Sequence, residues 1–232
     1  FKDTITGLAA GVRLTSNDML HKGDWITVKS VDANGIVEDM SLTTVKVRNF
    51  DNTIVTISPT TLVNGSFQNW IGMQKSGGRR VKRVVYFDFR SVRLVDETLK
   101  RNLLTKHFAT EDSFKLKASL QKAIDKDIQE GKDIEDLKNP AALAPTNLQL
   151  YRKFMEKYLR QRPEVNTDLT LMVRHMEATQ CGLPIEFYFF IKDKVWVNYE
   201  HILADIMEHA YALANEFGLK IYEQYPDCLL YT

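Results

Sequence analysis

Cysteine is almost absent from these 232 residues. Only Cys181 and Cys228 occur. Two unclustered thiols fit a reducing compartment and support neither a disulfide framework nor a cysteine-built zinc site. An excess of either charge is also missing, since Lys plus Arg total 31 and Asp plus Glu total 30. That balance removes the general electrostatic argument for nucleic acid or anionic lipid as a partner. No run reaches the roughly 18–20 apolar residues that a membrane-spanning helix needs, and no signal-peptide pattern opens the chain. The first residue is Phe1 rather than methionine, so the sequence is read as a fragment, and the absent membrane segments say nothing about the parent protein. What is present is ordinary: 44% hydrophobic and 26% charged residues, enough to bury one large core or two small ones.

Residues 1–20 read as an amphipathic helix. Ile5, Leu8, Ala9 and Val12 fall at i, i+3, i+4 and i+7, one face of a 3.6-residue period. Gly7, Ala9, Ala10 and Gly11 cluster in its middle. Glycine inside a helix costs about 1 kcal/mol against alanine, so two glycines imply close packing or a bend. Residues 22–71 change character. Ile26 and Val28 alternate with polar neighbours, Asn34-Gly35 carries a strong hairpin signal, and Val45 and Val47 alternate again. Asp51-Asn52 reads as another turn before a strand from Thr53 to Ile57. Short strands separated by turns predict a small antiparallel barrel.

Lys75 to Gly78 reads as a hinge. Beyond it strands and helices alternate. Val85, Phe87 and Phe89 predict a core-facing strand, and Asp96 caps a helix running to about His107. Residues 147–160 form a helix, Leu169 to Met176 and Ile185 to Ile191 form strands, and Tyr199 to Phe217 forms a helix stopped by Gly218. Leu219 to Tyr222 can return as a strand. That order is the split βαβ arrangement of ferredoxin-like domains. Residues 111–146 interrupt it with a charged insertion holding Pro140 and Pro145, which reads as partly helical and mobile. Gln224 to Thr232 reads equally as a barrel strand or a poorly ordered end.

Chemistry-bearing clusters are few. His201, Asp205 and His209 share a helix face, but no matching pair elsewhere completes a metal site, and their spacing also describes the polar flank of an amphipathic helix. Cys181 could stand beside His175 but lies in a turn without an activating motif. Ser76-Gly77-Gly78 before Arg79-Arg80 lacks the phosphate-loop pattern. The run Arg79, Arg80, Lys82, Arg83 reads as a solvated strand edge or an intersubunit ion-pair site. Residue chemistry alone therefore supports a soluble, two-domain α+β fragment and no particular activity; no metal, no cofactor and no enzyme are expected. A soluble RNA- or protein-binding module is the alternative, with Phe87, Phe89 and Arg90 as its stacking face.

From Leu8 to Arg80 the sequence resembles the MscS family of mechanosensitive ion channels. Leu8-Ala9-Ala10-Gly11-Val12 resembles the cytoplasmic half of the family's pore-lining third helix. Lys22-Gly23-Asp24-Trp25-Ile26 resembles the lead-in to its β domain, and Gly35-Ile36-Val37-Glu38-Asp39 the turn and strand that follow. Thr43-Thr44, Val47-Arg48 and Asp51 resemble its T-T-x-x-R-x-x-D-G run. Ile57 and Pro59 match its I-P-N element, and Asn69 with Arg79-Arg80 resembles the link into its α/β domain. Asn52 stands where glycine is usual, Thr60 where asparagine is usual, and residues 111–146 are extra. Gly23-Asp24-Trp25 and the run from Thr43 to Asn52 are most similar to the YbdG-like branch.

The resemblance implies a pore-helix remnant over 1–21, a small Sm-like β barrel over 22–72, a ferredoxin-like α/β domain over 79–225 and a C-terminal end over 226–232. It implies a homo-oligomeric ring, a heptamer, in the bacterial inner membrane, this region facing the cytoplasm. Contact with the bilayer would come through helices outside this chain, with no nucleic acid bound. Tension would open the pore and release ions and osmolytes in hypo-osmotic shock. Leu8, Ala9, Ala10 and Gly11 would belong to the pore helix and its gating, with Gly11 as a hinge. Gly23, Asp24, Gly35, Thr44, Asp51, Pro59 and Asn69 would carry the β-domain motif.

Overall fold

A computed structural model describes residues 2–115, 118–130 and 144–223. The chain divides into two compact units, Phe1–Ser76 and Gly77–Thr232. The architecture is mixed α+β with antiparallel sheets in both.

In the first unit, helix α1 (Lys2–Ser16) leads into strands β1 (Trp25–Val28), β2 (Ala33–Met40), β3 (Val45–Asn49) and β4 (Ile54–Ile57). A short helix α2 (Pro59–Asn64), strand β5 (Gln68–Asn69) and helix α3 (Ile71–Lys75) complete it. The strands form one antiparallel sheet in the order β4-β3-β2-β1-β5, with β4 and β5 at its edges. Alternation does the sorting. Ile26, Val28, Ala33, Val37, Val45, Val47 and Ile57 point inward onto Leu14, Leu20 and Leu62, while their neighbours point out.

Asn34-Gly35 is not the hairpin turn. Both residues lie inside β2, and Gly35 pairs with Ile26. The β1–β2 reversal comes earlier, through a 3-10 turn at Lys29–Val31 ended by Asp32 at φ 51°. Aspartate tolerates this left-handed conformation. Gly35 serves close approach instead, because a Cβ there would lie 1.9 Å from the Arg48 carbonyl oxygen. The turn at Asp51-Asn52 forms as expected, with Asn52 at φ 69°.

In the second unit, strand β6 (Arg79–Phe87) is followed by helices α4 (Glu97–Thr105), α5 (Ala118–Gln129) and α6 (Asn147–Gln161). Strands β7 (Met172–His175) and β8 (Leu183–Ile191) and the long helix α7 (Trp196–Glu216) follow. The sheet is antiparallel in the order β6-β8-β7. Central β8 runs from Leu183 opposite Phe87 to Ile191 opposite Arg79. Its Ile185, Phe187, Phe189 and Ile191 meet Leu103 of α4, Tyr151, Met155 and Leu159 of α6, and Ile206 and Ala210 of α7. The Tyr151 hydroxyl donates to the Ala210 carbonyl at 2.6 Å. Buried Asn147 satisfies its amide with the carbonyls of Ser91 and Phe217 and accepts from the Arg93 N–H, as burial of a polar group demands.

Two expectations change here. The strand predicted over Val85–Phe89 begins at Arg79 and ends at Phe87, because Asp88 caps a 3-10 turn at Phe89–Ser91. Phe89 is therefore 50% exposed rather than core. The strand predicted over Leu219–Tyr222 is reduced to one antiparallel bridge, Phe87 to Ile221. Gly218, at φ 67°, stops α7 as expected. Of the insertion at 111–146, a 3-10 turn at Glu111–Phe114 and helix α5 are seen. Residues 116–117 and 131–143, and the end from Gln224 to Thr232, lie outside the described residues.

Candidate functional site

The residues singled out by the sequence gather in two places in the first unit. The first is the seat of α1. Leu14 is fully buried in the core, and Ala10 and Gly11 are buried beside it. At Gly11 the helix meets the backbone of the β2–β3 loop. A Cβ there would lie 2.1 Å from the Leu42 carbonyl oxygen and 2.7 Å from its Cα. That loop is held rigid locally, since the Ser41 hydroxyl accepts from the N–H groups of Thr43 and Thr44 at 3.3 and 3.0 Å. The Thr44 carbonyl accepts from the Ser41 N–H at 2.8 Å. Gly11 and Thr44, 33 positions apart by number, thus meet through one loop. Helix α1 runs unbroken through Gly11, and Thr15 donates back to the Gly11 carbonyl at 3.1 Å. Glycine at this position makes room for the Leu42 backbone.

The stripe expected to pack is the outward one. Ile5 is 66% exposed, Val12 52%, and Leu8 and Ala9 are exposed as well. A second set with the same helical spacing, Gly7, Ala10, Gly11 and Leu14, begins two positions along; Ala10, Gly11 and Leu14 of it face inward and Gly7 is half-buried. Pro59 is buried at the first position of α2, behind Ser58, whose side chain accepts from the Thr61 N–H. Proline suits that position because no helical partner awaits its missing N–H. Thr60 leaves this cap intact, its hydroxyl 2.7 Å from that of Ser58.

The second place is a clip around Asp24, 6% exposed. Its carboxylate accepts from the His21 N–H at 3.0 Å and from the Asn69 amide at 2.8 Å. Asn69 in turn accepts from the Ile71 N–H. Gly23 donates to the Val37 carbonyl, and Val37 donates to that of Asp24, both at 2.8 Å. The Trp25 and Trp70 rings stack beside the clip at 4.8 Å. Gly23, Asp24 and Asn69 are joined here. Gly35 and Asp51 are not; they serve the sheet and the β3–β4 turn. Exposed Asp51 accepts from the Thr53 hydroxyl and, second, from the Thr53 N–H, which hold its carboxyl below the usual carboxylate range.

Leu14, Leu42 and His21 were missed. Leu42 carries no signal, being an apolar residue in a polar loop. Leu14 had one, the second helical stripe.

In the second unit His201, Asp205 and His209 are exposed, and His209 turns to the Asp205 carbonyl. Among the described residues no group of three His, Cys, Asp or Glu side chains could hold a metal ion. Cys181 is exposed in its turn. Lys82 and Arg174 flank buried Glu186 at 3.7 and 2.6 Å. Arg79 covers the Tyr199 ring. Phe87 is fully buried and closed to stacking, and Arg90 is held by Asp88. Among the described residues no helix is long and apolar enough to cross a membrane.

Comparison with known proteins adds to this geometry. Residues 3–72 match the family model for the mechanosensitive ion channel beta-domain. The small-conductance mechanosensitive channel MscMJ of Methanocaldococcus jannaschii is 32% identical over 68 residues, 29% of this chain and 19% of that protein. An uncharacterized MscS family protein of Aquifex aeolicus is 33% identical over 108 residues, 46% of this chain and 28% of that protein. The chain thus spans under a third of either relative. Helicobacter pylori MscS in its closed state superposes with a TM-score of 0.58 over 97% of this chain and 65% of that one, at 14% identity. Arabidopsis thaliana MSL1 gives 0.60 over 95% and 59%, at 10% identity. These two likenesses speak to fold alone.

Proposed function

From a chain that carries an MscS-family β-domain, we propose a subunit region of a tension-gated ion channel. The observation that carries this reading is the two-faced helix α1. One face is locked to the β-domain at Gly11 against Leu42, and the other offers Ile5, Leu8 and Val12, exposed among the described residues. An apolar stripe on a helix anchored behind is suited to neighbouring subunits around an axis, where identical helices would meet. Gating needs an element with two arrangements that differ in how they bias the membrane, and α1 on its seat is that element.

In this reading the first unit is an Sm-like β barrel and the second a ferredoxin-like domain, with the Phe87–Ile221 bridge as the vestige of the fourth strand. Copies form a ring, a heptamer, below a bacterial inner membrane, this region facing the cytoplasm. Segments outside this chain contact the lipid. Opening releases ions and osmolytes in hypo-osmotic shock. The chain carries out no catalysis, takes no cofactor and binds no nucleic acid. In this reading the chain belongs to the YbdG-like branch.

Patch-clamp recording of the full-length protein in a bacterial strain lacking its own channels tests this. Tension-activated currents are expected, and a polar substitution on the outward stripe, Leu8→Asn, should shift the opening tension. Protein present in the membrane with no current up to membrane rupture would overturn it. Native mass spectrometry of the 232-residue chain should show weak rings at high concentration, and monomer alone throughout would count against the ring.

A further inference from the structure

One cavity of the second unit is used by nothing above. It measures about 480 Å³ and lies where the end of α4 and the loop after it face α6. That size falls within the roughly 300–1,000 Å³ of small-molecule sites. Phe108, Phe154 and Tyr158 give it an aromatic lining, and Lys153 and Lys157 stand at its rim. Phe108 and Phe154 meet edge to face at 5.2 Å, and Phe108 is backed by Phe217 at 5.9 Å. The lining is therefore fixed by the core rather than free to collapse.

Two observations mark the rim of the cavity as uncompensated. Lys153 and Lys157 are one helical turn apart, an arrangement in which like charges repel, and neither has an ion pair among the described residues. Asp112, the acid at the same rim, is committed to Lys115 at 2.7 Å. The Tyr158 ring lines the cavity, while its hydroxyl is shielded from it.

We infer that this cavity binds a small organic anion, its flat apolar part against Phe108, Phe154 and Tyr158 and its acidic group between Lys153 and Lys157. The shared chemistry is an aromatic body with one carboxylate or phosphate. The lysines supply a charge that no acidic group among the described residues pairs with, and a charged acceptor strengthens their hydrogen bonds. Inorganic phosphate offers nothing to the aromatic lining, and a neutral aromatic leaves the lysines unpaired. Both halves are needed. The inference stands apart from the channel reading, since it concerns the second unit alone.

Isothermal titration calorimetry of the 232-residue chain tests it, with naphthyl phosphate, naphthoate, naphthol and inorganic phosphate as probes. At least one of the two naphthyl anions should bind about tenfold more tightly than naphthol or phosphate, and the tighter of the two identifies the acidic group. The double variant Lys153→Gln, Lys157→Gln should weaken that binding about tenfold with an unchanged melting temperature, because exposed lysines contribute little to stability. Tyr158→Phe keeps the ring that lines the cavity and should leave binding unchanged. Arg90→Gln, elsewhere on the unit, should leave it unchanged. No binding of either anion at millimolar concentration would overturn the inference. So would equal binding of inorganic phosphate, or affinity unaltered in the double variant.

Discussion

The two units are held together in opposite ways. The first depends on backbone approaching backbone, at Gly11 against Leu42 and at Gly35 against Arg48. The second depends on large side chains, with Phe87, Tyr151, Phe187, Phe189 and Phe217 all fully buried around one sheet. The difference teaches where each unit is brittle. A unit fitted by absent side chains suffers when a methyl group is added. A unit fitted by bulky ones suffers when mass is removed.

The largest effect should come from removing mass in the second unit. Phe187→Ala empties the centre of β8 and should cost about 3–5 kcal/mol, read as a fall in the urea midpoint. A loss below 1 kcal/mol would mean that the packing there is loose. Adding a methyl group in the first unit comes next. Gly35→Ala and Gly11→Ala each place a Cβ inside 2.2 Å of a carbonyl oxygen. Each should destabilise by about 1–3 kcal/mol or more, at Gly11 despite the roughly 1 kcal/mol that alanine adds to a helix. Gly7→Ala sharpens the contrast, since nothing lies within 4 Å of a Cβ there. It should stabilise by up to about 1 kcal/mol, and the same sign at Gly7 and Gly11 would break the proposed seat.

The smallest effect concerns pH in the second unit. Asp96 caps α4 by accepting from the Leu99 N–H, and that bond holds its carboxyl below the ordinary value. A depressed carboxylate contributes stability that is present above its unfolded value and is lost as pH falls through the folded one. Asp96→Asn keeps the cap without the charge, so its stability should fall less steeply in acid than that of the parent chain. Parallel acid profiles in paired thermal melts would refute this.

Much of the fold could be read from sequence because alternation and turn chemistry are local. Ile26, Val28, Val45 and Val47 declared their faces, Asn52 took the conformation usually given to glycine, and Gly218 ended its helix. What failed was non-local. Two stripes of equal spacing ran along α1, and only the loop at Leu42 decides which is inward. Asn34-Gly35 carries hairpin residues, yet Asp32 made the turn, because Gly35 was needed where Arg48 crosses. Of the candidate site, the motif named Gly23, Asp24 and Asn69 separately. Their union across 45 positions exists only once β5 lies beside β1.

That union has a mechanical meaning. The chain arrives in the first unit through α1 and departs through α3, and Asp24 and Asn69 stand at arrival and departure. The His21–Asp24–Asn69–Ile71 hydrogen bonds and the adjoining β1–β5 pairing give a pull on α1 that is resisted at α3 a short path, beside the longer one through the Leu42 seat and residues 25–68.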